Sequence, residues 1–244
     1  MRALALLALV ACTYPTKELS GWQCLGQPVP TPSASIHISG QVFDYAKNMG
    51  VPATVSMFHA GDTNPGDDLF GSGGIATASD GTFSSTVSTA FEAITAEFVV
   101  QPTDMANYGE TFVFTGRPIA GDTSLVIEAL PSSNLIDFMT DYGVTIDPSL
   151  AQVILTVEDC DQAGVPTAKV SDRNADQVFY VSNFEPSAGA TATDSSGAAI
   201  ILNVPPPGAA KLHFTAKVFD LTLGNDASVP PMALSQVIIQ PQPP

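Results

Sequence analysis

Gly50-Val51-Pro52-Ala53-Thr54-Val55-Ser56 returns, loosely, as Gly164-Val165-Pro166-Thr167-Ala168-Lys169-Val170-Ser171. Ala76-Thr77-Ala78-Ser79-Asp80-Gly81 returns as Ala190-Thr191-Ala192-Thr193-Asp194-Ser195-Ser196-Gly197. Both recurrences begin 114 residues downstream (50 to 164, 76 to 190). Two motifs sharing one offset mark a duplicated unit, and a duplication fixes architecture before any single residue is interpreted. The chain has 244 residues, room for two units of roughly 100 residues, each able to bury its own core.

The recurring residues are turn formers and alternating apolar positions. Thr54 to Phe58 alternates with period two, as do Leu212, Phe214, Ala216 and Val218, which is the pattern of a half-buried strand. Further strands are expected over 36–43, 96–100, 110–114, 124–130, 153–157, 178–181 and 235–239. Asp80-Gly81 reads as the turn of a hairpin between Ile75–Ala78 and Thr82–Val87. In the second copy Ala190–Asp194 is expected to pair with Ala198–Val204 across Ser195-Ser196-Gly197. Leu135, Phe138, Met139 and Tyr142 form one apolar stripe at helical spacing, with Asn134 as N-cap and Gly143 as stop. The expected fold is all-β: two tandem antiparallel β-sandwich domains over 36–130 and 150–240, with a short helical connector over 131–149.

Acidic residues outnumber basic ones 24 to 8, a formal charge of −16. That balance excludes a nucleic-acid binder, which needs Lys and Arg against phosphates. It also excludes basic docking on anionic lipid. With 45% hydrophobic and only 13% charged residues, the chain is of a folded class rather than an acidic disordered one.

Arg2 followed by apolar Ala3–Val10 reads as a signal segment over 1–11, too short to span a bilayer. It ends in Leu9-Val10-Ala11-Cys12, which resembles the lipobox of bacterial lipoproteins. That resemblance implies cleavage before Cys12, a diacylglycerol on its sulfur, and a membrane partner reached through this N-terminal lipid anchor. Residue 13 is Thr rather than Asp, which by the same resemblance implies an outer-membrane-anchored protein of the cell envelope, facing the periplasm or the cell surface. The alternative is an ordinary signal peptide with Cys12 incidental. Residues 12–35 are rich in Pro, Ser and Thr and read as a tether, in which Trp22 is expected to pack on the nearest domain. Cys24 and Cys160 remain, and two thiols in an oxidising compartment tend to pair. The alternative is two cysteines too far apart to bond.

The order of markers is a strand ending near an acidic residue (Asp44; Glu158), Gly-Val-Pro, a strand with Val-Ser, then Ala-Thr-Ala before an aspartate and a return strand. Gly40, Val42 and Asp44, and then Asp80, Gly81 and Phe83, carry the first copy; Asn203-Val204-Pro205 closes the second. This resembles the carboxypeptidase regulatory-like domain, a transthyretin-like, Ig-like β-sandwich. The layout of lipobox plus two such repeats is similar to lipoproteins of the myxobacterial type.

Chemistry is sparse. His37, His59 and His213 share no metal-ligand spacing, and no Gly-x-Ser-x-Gly, Ser-x-x-Lys or His-Glu-x-x-His occurs. Gly71-Ser72-Gly73-Gly74 lacks the strand and helix a dinucleotide loop needs. The best-placed oxygen ligands are Asp62, Asp67 and Asp68 in one loop and Glu158, Asp159 and Asp161 in another, which are weak calcium candidates without EF-hand spacing. No cofactor and no catalysis are expected. The expected function is a non-catalytic envelope lipoprotein acting as a structural, spacer or protein-interaction module, with an envelope protein as partner. The alternative is one that binds polysaccharide or a small ligand.

Overall fold

The computed structural model describes residues 21–62, 64–131, 143–147, 149–171, 177–182, 185–187, 189–205, 211–231 and 233–243. Within these the chain is all β apart from one 3-10 turn at Pro65–Asp67. The first copy supplies Ser35–Asp44 (β1), Met49–Gly50 (β2), Ala53–His59 (β3), Ile75–Ala76 (β4), Thr82–Ser88 (β5), Ala96–Pro102 (β6), Thr111–Phe114 (β7) and Thr123–Glu128 (β8). The second supplies Ala151–Val157 (β9), Lys169–Ser171 (β10), Gln177–Ser182 (β11), Glu185–Ser187 (β12), Ala198–Val204 (β13), Leu212–Val218 (β14), Leu221–Ala227 (β15) and Leu234–Ile239 (β16). Except for Pro131 and Gly143, the expected helix and its caps lie outside the described residues.

The duplication is visible in the pairings. β1 lies antiparallel to β5 and parallel to β8; β9 lies antiparallel to β13 and parallel to β16. β3 pairs with β6 and β6 with β7; β10 pairs with β14 and β14 with β15. The sheets are therefore mixed rather than purely antiparallel, because the last strand of each copy returns parallel to its first.

Each copy folds around one backbone crossing. Val42 N–H donates to Gly81 O at 2.9 Å and Val51 N–H to Val42 O at 2.9 Å. In the second copy Val157 N–H donates to Gly197 O at 2.9 Å and Val165 N–H to Val157 O at 2.8 Å. Gly81 and Gly197 both hold positive φ (77° and 69°), and a Cβ on either would stand 2.2 Å from the carbonyl oxygen of Val42 or Val157. Only glycine fits there. The copies also share a threonine latch. Ala53 N–H donates to Thr77 Oγ1 and Ala168 N–H to Thr193 Oγ1, each at 2.9 Å. Thr77 is thus matched by Thr193, not by Thr191 as the constant offset implies.

The hairpin expected around Asp80-Gly81 does not form. β4 pairs with β3 and β5 with β1, so the turn carries the chain from one sheet to another. The equivalent turn at Asp194–Gly197 leads into β13, which pairs with β9 and β11 rather than with Ala190–Asp194. The turns themselves close, Gly81 N–H donating to Ala78 O and Gly197 N–H to Asp194 O, but beyond them the exit arm pairs with the first strand of its copy rather than with the arm that enters.

The two copies keep separate cores but share a sheet. β16 pairs with β9 on one side and, in parallel, with β7 on the other, giving one continuous nine-stranded sheet, β12-β11-β13-β9-β16-β7-β6-β3-β4. The two cores lie on opposite faces of it. On β7, Val113 belongs to the first core while Phe112 and Phe114 pack on the second. On β16, Val237 and Ile239 belong to the second core while Ile238 packs on the first. Fully burying such side chains contributes about 1.5–3 kcal/mol each.

Candidate functional site: the cleft where the copies join

β7, β9 and β16 run side by side and in the same direction, so their C-terminal ends meet. Residues 115–120, 158–162 and 238–242 are gathered there. Residues 21–27 join them and are not a free tether. Cys24 and Cys160 are disulfide-bonded with their Cα atoms 5.7 Å apart. Gly26 N–H donates to Gln242 O at 3.3 Å. The Arg117 guanidinium donates to Cys24 O and to Pro241 O, both at 3.1 Å. Trp22 packs against the second core.

Beside this knot runs a cleft of about 520 Å³. It is lined by Tyr45 and the first residues of β8, by Glu158, Cys160 and Gln162, by Ile238 and Gln240, and by the turn that carries Arg117. Glu158 is half-buried and accepts a hydrogen bond from Gln240 Nε2 at 2.9 Å. Burial, with Asp159 beside it, pushes its carboxyl up to about 7 despite the hydrogen bond from Gln240. Glu128, at the end of β8, is also pushed up to about 7, first by burial and then by Asp44. Tyr45, half exposed beside them, is raised by its own partial burial and by Glu128.

A second hollow of about 400 Å³ adjoins Lys47, Met49, Asp104 and Tyr108. Buried Asp44 accepts the Tyr108 hydroxyl at 2.8 Å and the Lys47 N–H at 3.0 Å. Lys47 Nζ donates to Tyr108 Oη at 3.0 Å and stands 4.8 Å above its ring centre. This cluster closes the turn between β1 and β2.

The calcium candidates are not brought together. Asp68 accepts the N–H groups of Met57 and Phe70, Asp62 accepts that of Asn64, and Asp67 accepts Asn64 Nδ2. Asp159 accepts the N–H groups of Asp161 and Ala163, and Asp161 accepts Gln23 Nε2. Each carboxylate serves a turn or a neighbouring segment. Among the described residues no three His, Cys, Asp or Glu side chains converge on a point that could hold a metal. His37 meets Ser84 at 3.1 Å, and His213 meets Asp226 at 2.7 Å on an exposed face. Cys12 lies outside the described residues. Sequence reasoning did not single out Arg117 or Val126. The one available signal was Arg117 itself, one of only 8 basic residues and set in a Gly-Arg-Pro turn.

No known family matches the sequence, and no curated protein matches it. By structure the chain is similar to the Bacillus anthracis TIE protein, at 10% identity and a TM-score of 0.27, covering 85% of this chain and 34% of that one. It is also similar to the shaft pilin SpaA from Lactobacillus rhamnosus GG, at 11% identity and a TM-score of 0.23, covering 86% of this chain and 97% of the pilin. The third is BcpA, the major pilin subunit of Bacillus cereus, at 11% identity and a TM-score of 0.25, covering 80% and 69%. Likenesses this distant carry no argument about activity. Among the described residues no helix is long and apolar enough to cross a membrane.

Proposed function

We propose that this chain is a non-catalytic module of the cell envelope, anchored through a lipid on Cys12 and acting as a structural or protein-interaction unit. One observation carries the reading. The segment leading away from Cys12 is fixed at Cys24 to the joint between the two copies, through Cys160 and Arg117. A pull on the anchor is thereby delivered to the middle of a continuous sheet rather than to an edge strand. That arrangement suits a rigid body held at a membrane. Mass spectrometry of the mature protein, isolated from membranes of a lipoprotein-processing bacterial host, tests it. Cys12 is expected as first residue, carrying a diacylglycerol. An unmodified Cys12, or a different first residue, contradicts the reading.

A further inference from the structure

We propose that the cleft at the joint binds an extended peptide segment, which adds as a strand to the outer edge of β8 and lays a basic side chain against Glu158.

β8 has β1 on one side, and no strand among the described residues pairs with the other. In a parallel ladder alternate residues direct both backbone groups to the same neighbour. Ala129 N–H goes to Phe43 O, so the odd positions of β8 face β1 and Ser124, Val126 and Glu128 face outward. The outward carbonyl of Glu128 is taken by Gln236 Nε2 at 2.7 Å. Ser124 and Val126 have no backbone partner on that side among the described residues. An open edge of this kind is a template for another strand.

The fold uses the same edge elsewhere. β16 is the second copy's counterpart of β8, and its outward positions Gln236 and Ile238 match Ser124 and Val126 by their register on β9 and β1. That edge receives β7 in parallel over Leu234–Val237. Ile238 is covered by the first core, whereas Val126 is 58% exposed. The first copy therefore presents an edge of the type the second copy fills.

The cleft also selects its occupant. Its volume falls within the range of about 300–1,000 Å³ common for ligand sites. Tyr45 and Val126 offer apolar surface to one face of an extended segment. Glu158 lines the same cleft, Asp122 immediately precedes β8 and Glu128 ends it. Among the described residues Arg117 is the only basic one lining the cleft, and carbonyl oxygens hold its guanidinium. On a chain of formal charge −16, this favours a segment carrying Lys or Arg.

The test uses a blocked, fluorescein-labelled seven-residue peptide alternating threonine and valine with a central lysine, read by fluorescence anisotropy. Saturable binding is expected, at least tenfold weaker when glutamate replaces the lysine. Val126→Pro removes only an outward N–H from an edge strand and should weaken binding at least tenfold. Glu158→Gln should reduce the advantage of lysine over norleucine. A peptide N-methylated on alternate residues should not bind the unaltered protein, and this arm decides the matter if Val126→Pro fails to fold. Absence of saturable binding up to about 1 mM, or equal binding of the N-methylated peptide, overturns the proposal. The site stands on the geometry of the cleft, so binding by a chain that carries no lipid would still uphold it.

Discussion

The two copies begin alike and end differently. Each is built on the same glycine crossing, the same threonine latch and the same order of strand pairing. They diverge at the last strand: among the described residues β16 is paired on both edges, whereas β8 is paired on one. The residues at the divergence explain its energetics. Phe112, Phe114 and Ile238 give β7 and β16 apolar surface on both faces, so joining them covers both cores at once. Val126 has no such cover. Charge diverges too. Phe43 pairs with Gly50 beside the crossing of the first copy, and Glu158 pairs with Gly164 beside that of the second. The duplication thus specifies a scaffold, and the distinctive chemistry lies where the copies differ.

If the crossings are equivalent, Gly81→Ala and Gly197→Ala should cost alike, about 3 kcal/mol or more each, since a Cβ meets backbone that cannot yield. Gly73→Ala has positive φ but open space around it and should cost less. Urea denaturation checks all three, and a large inequality between the first two would break the equivalence. Phe114→Ala should cost about 3–5 kcal/mol, the usual range for a buried aromatic, and should loosen both copies together. Cys24→Ser opens a closure spanning 136 residues and should cost about 2–5 kcal/mol in the chain-entropy account.

A smaller effect is expected from pH. Glu158 and Glu128 hold folded values of about 7 against an ordinary 4.5. The folded state therefore binds more protons than the unfolded one between those values. Their contribution is fully present below about 4.5 and is lost as pH rises through about 7. Asp80, Asp104 and Asp147, held low mainly by side-chain hydrogen bonds, act in the opposite sense only at lower pH. The melting temperature should fall from pH 5 to pH 7, and Glu158→Gln should flatten that slope; an unchanged slope would refute the assignment. Val126→Ala is the smallest case, within about 0.5 kcal/mol for an exposed strand residue, in contrast to Ile238→Ala on the enclosed strand.

Strands with strict alternation were legible in the sequence, including Thr54–Phe58 and Leu212–Val218. β15 was not. Gly224, Asn225 and Asp226 are residue types depleted in strands, yet Asn225 serves the joint by donating Nδ2 to Thr115 O and Ile238 O at 3.2 and 2.7 Å. The β16–β7 ladder joins segments more than 100 residues apart in parallel, and no local pattern reports such a pairing. Asp80-Gly81 carried a genuine turn signal, but a turn signal does not say whether its two arms share a sheet. Glu158 was singled out for its carboxylate; its half-buried place in a cleft was not legible, because the cleft also takes its lining from β8, some 30 residues earlier in the chain than Glu158.

The central claim is that β16 makes one folding body of the two copies. Hydrogen exchange followed peptide by peptide through a urea series tests it most directly, with 111–114 and 234–239 as reporters. Both segments should lose protection at one shared urea concentration, together with the rest of the nine-stranded sheet. Loss of protection in the first copy while the second, β16 included, stays closed would contradict it.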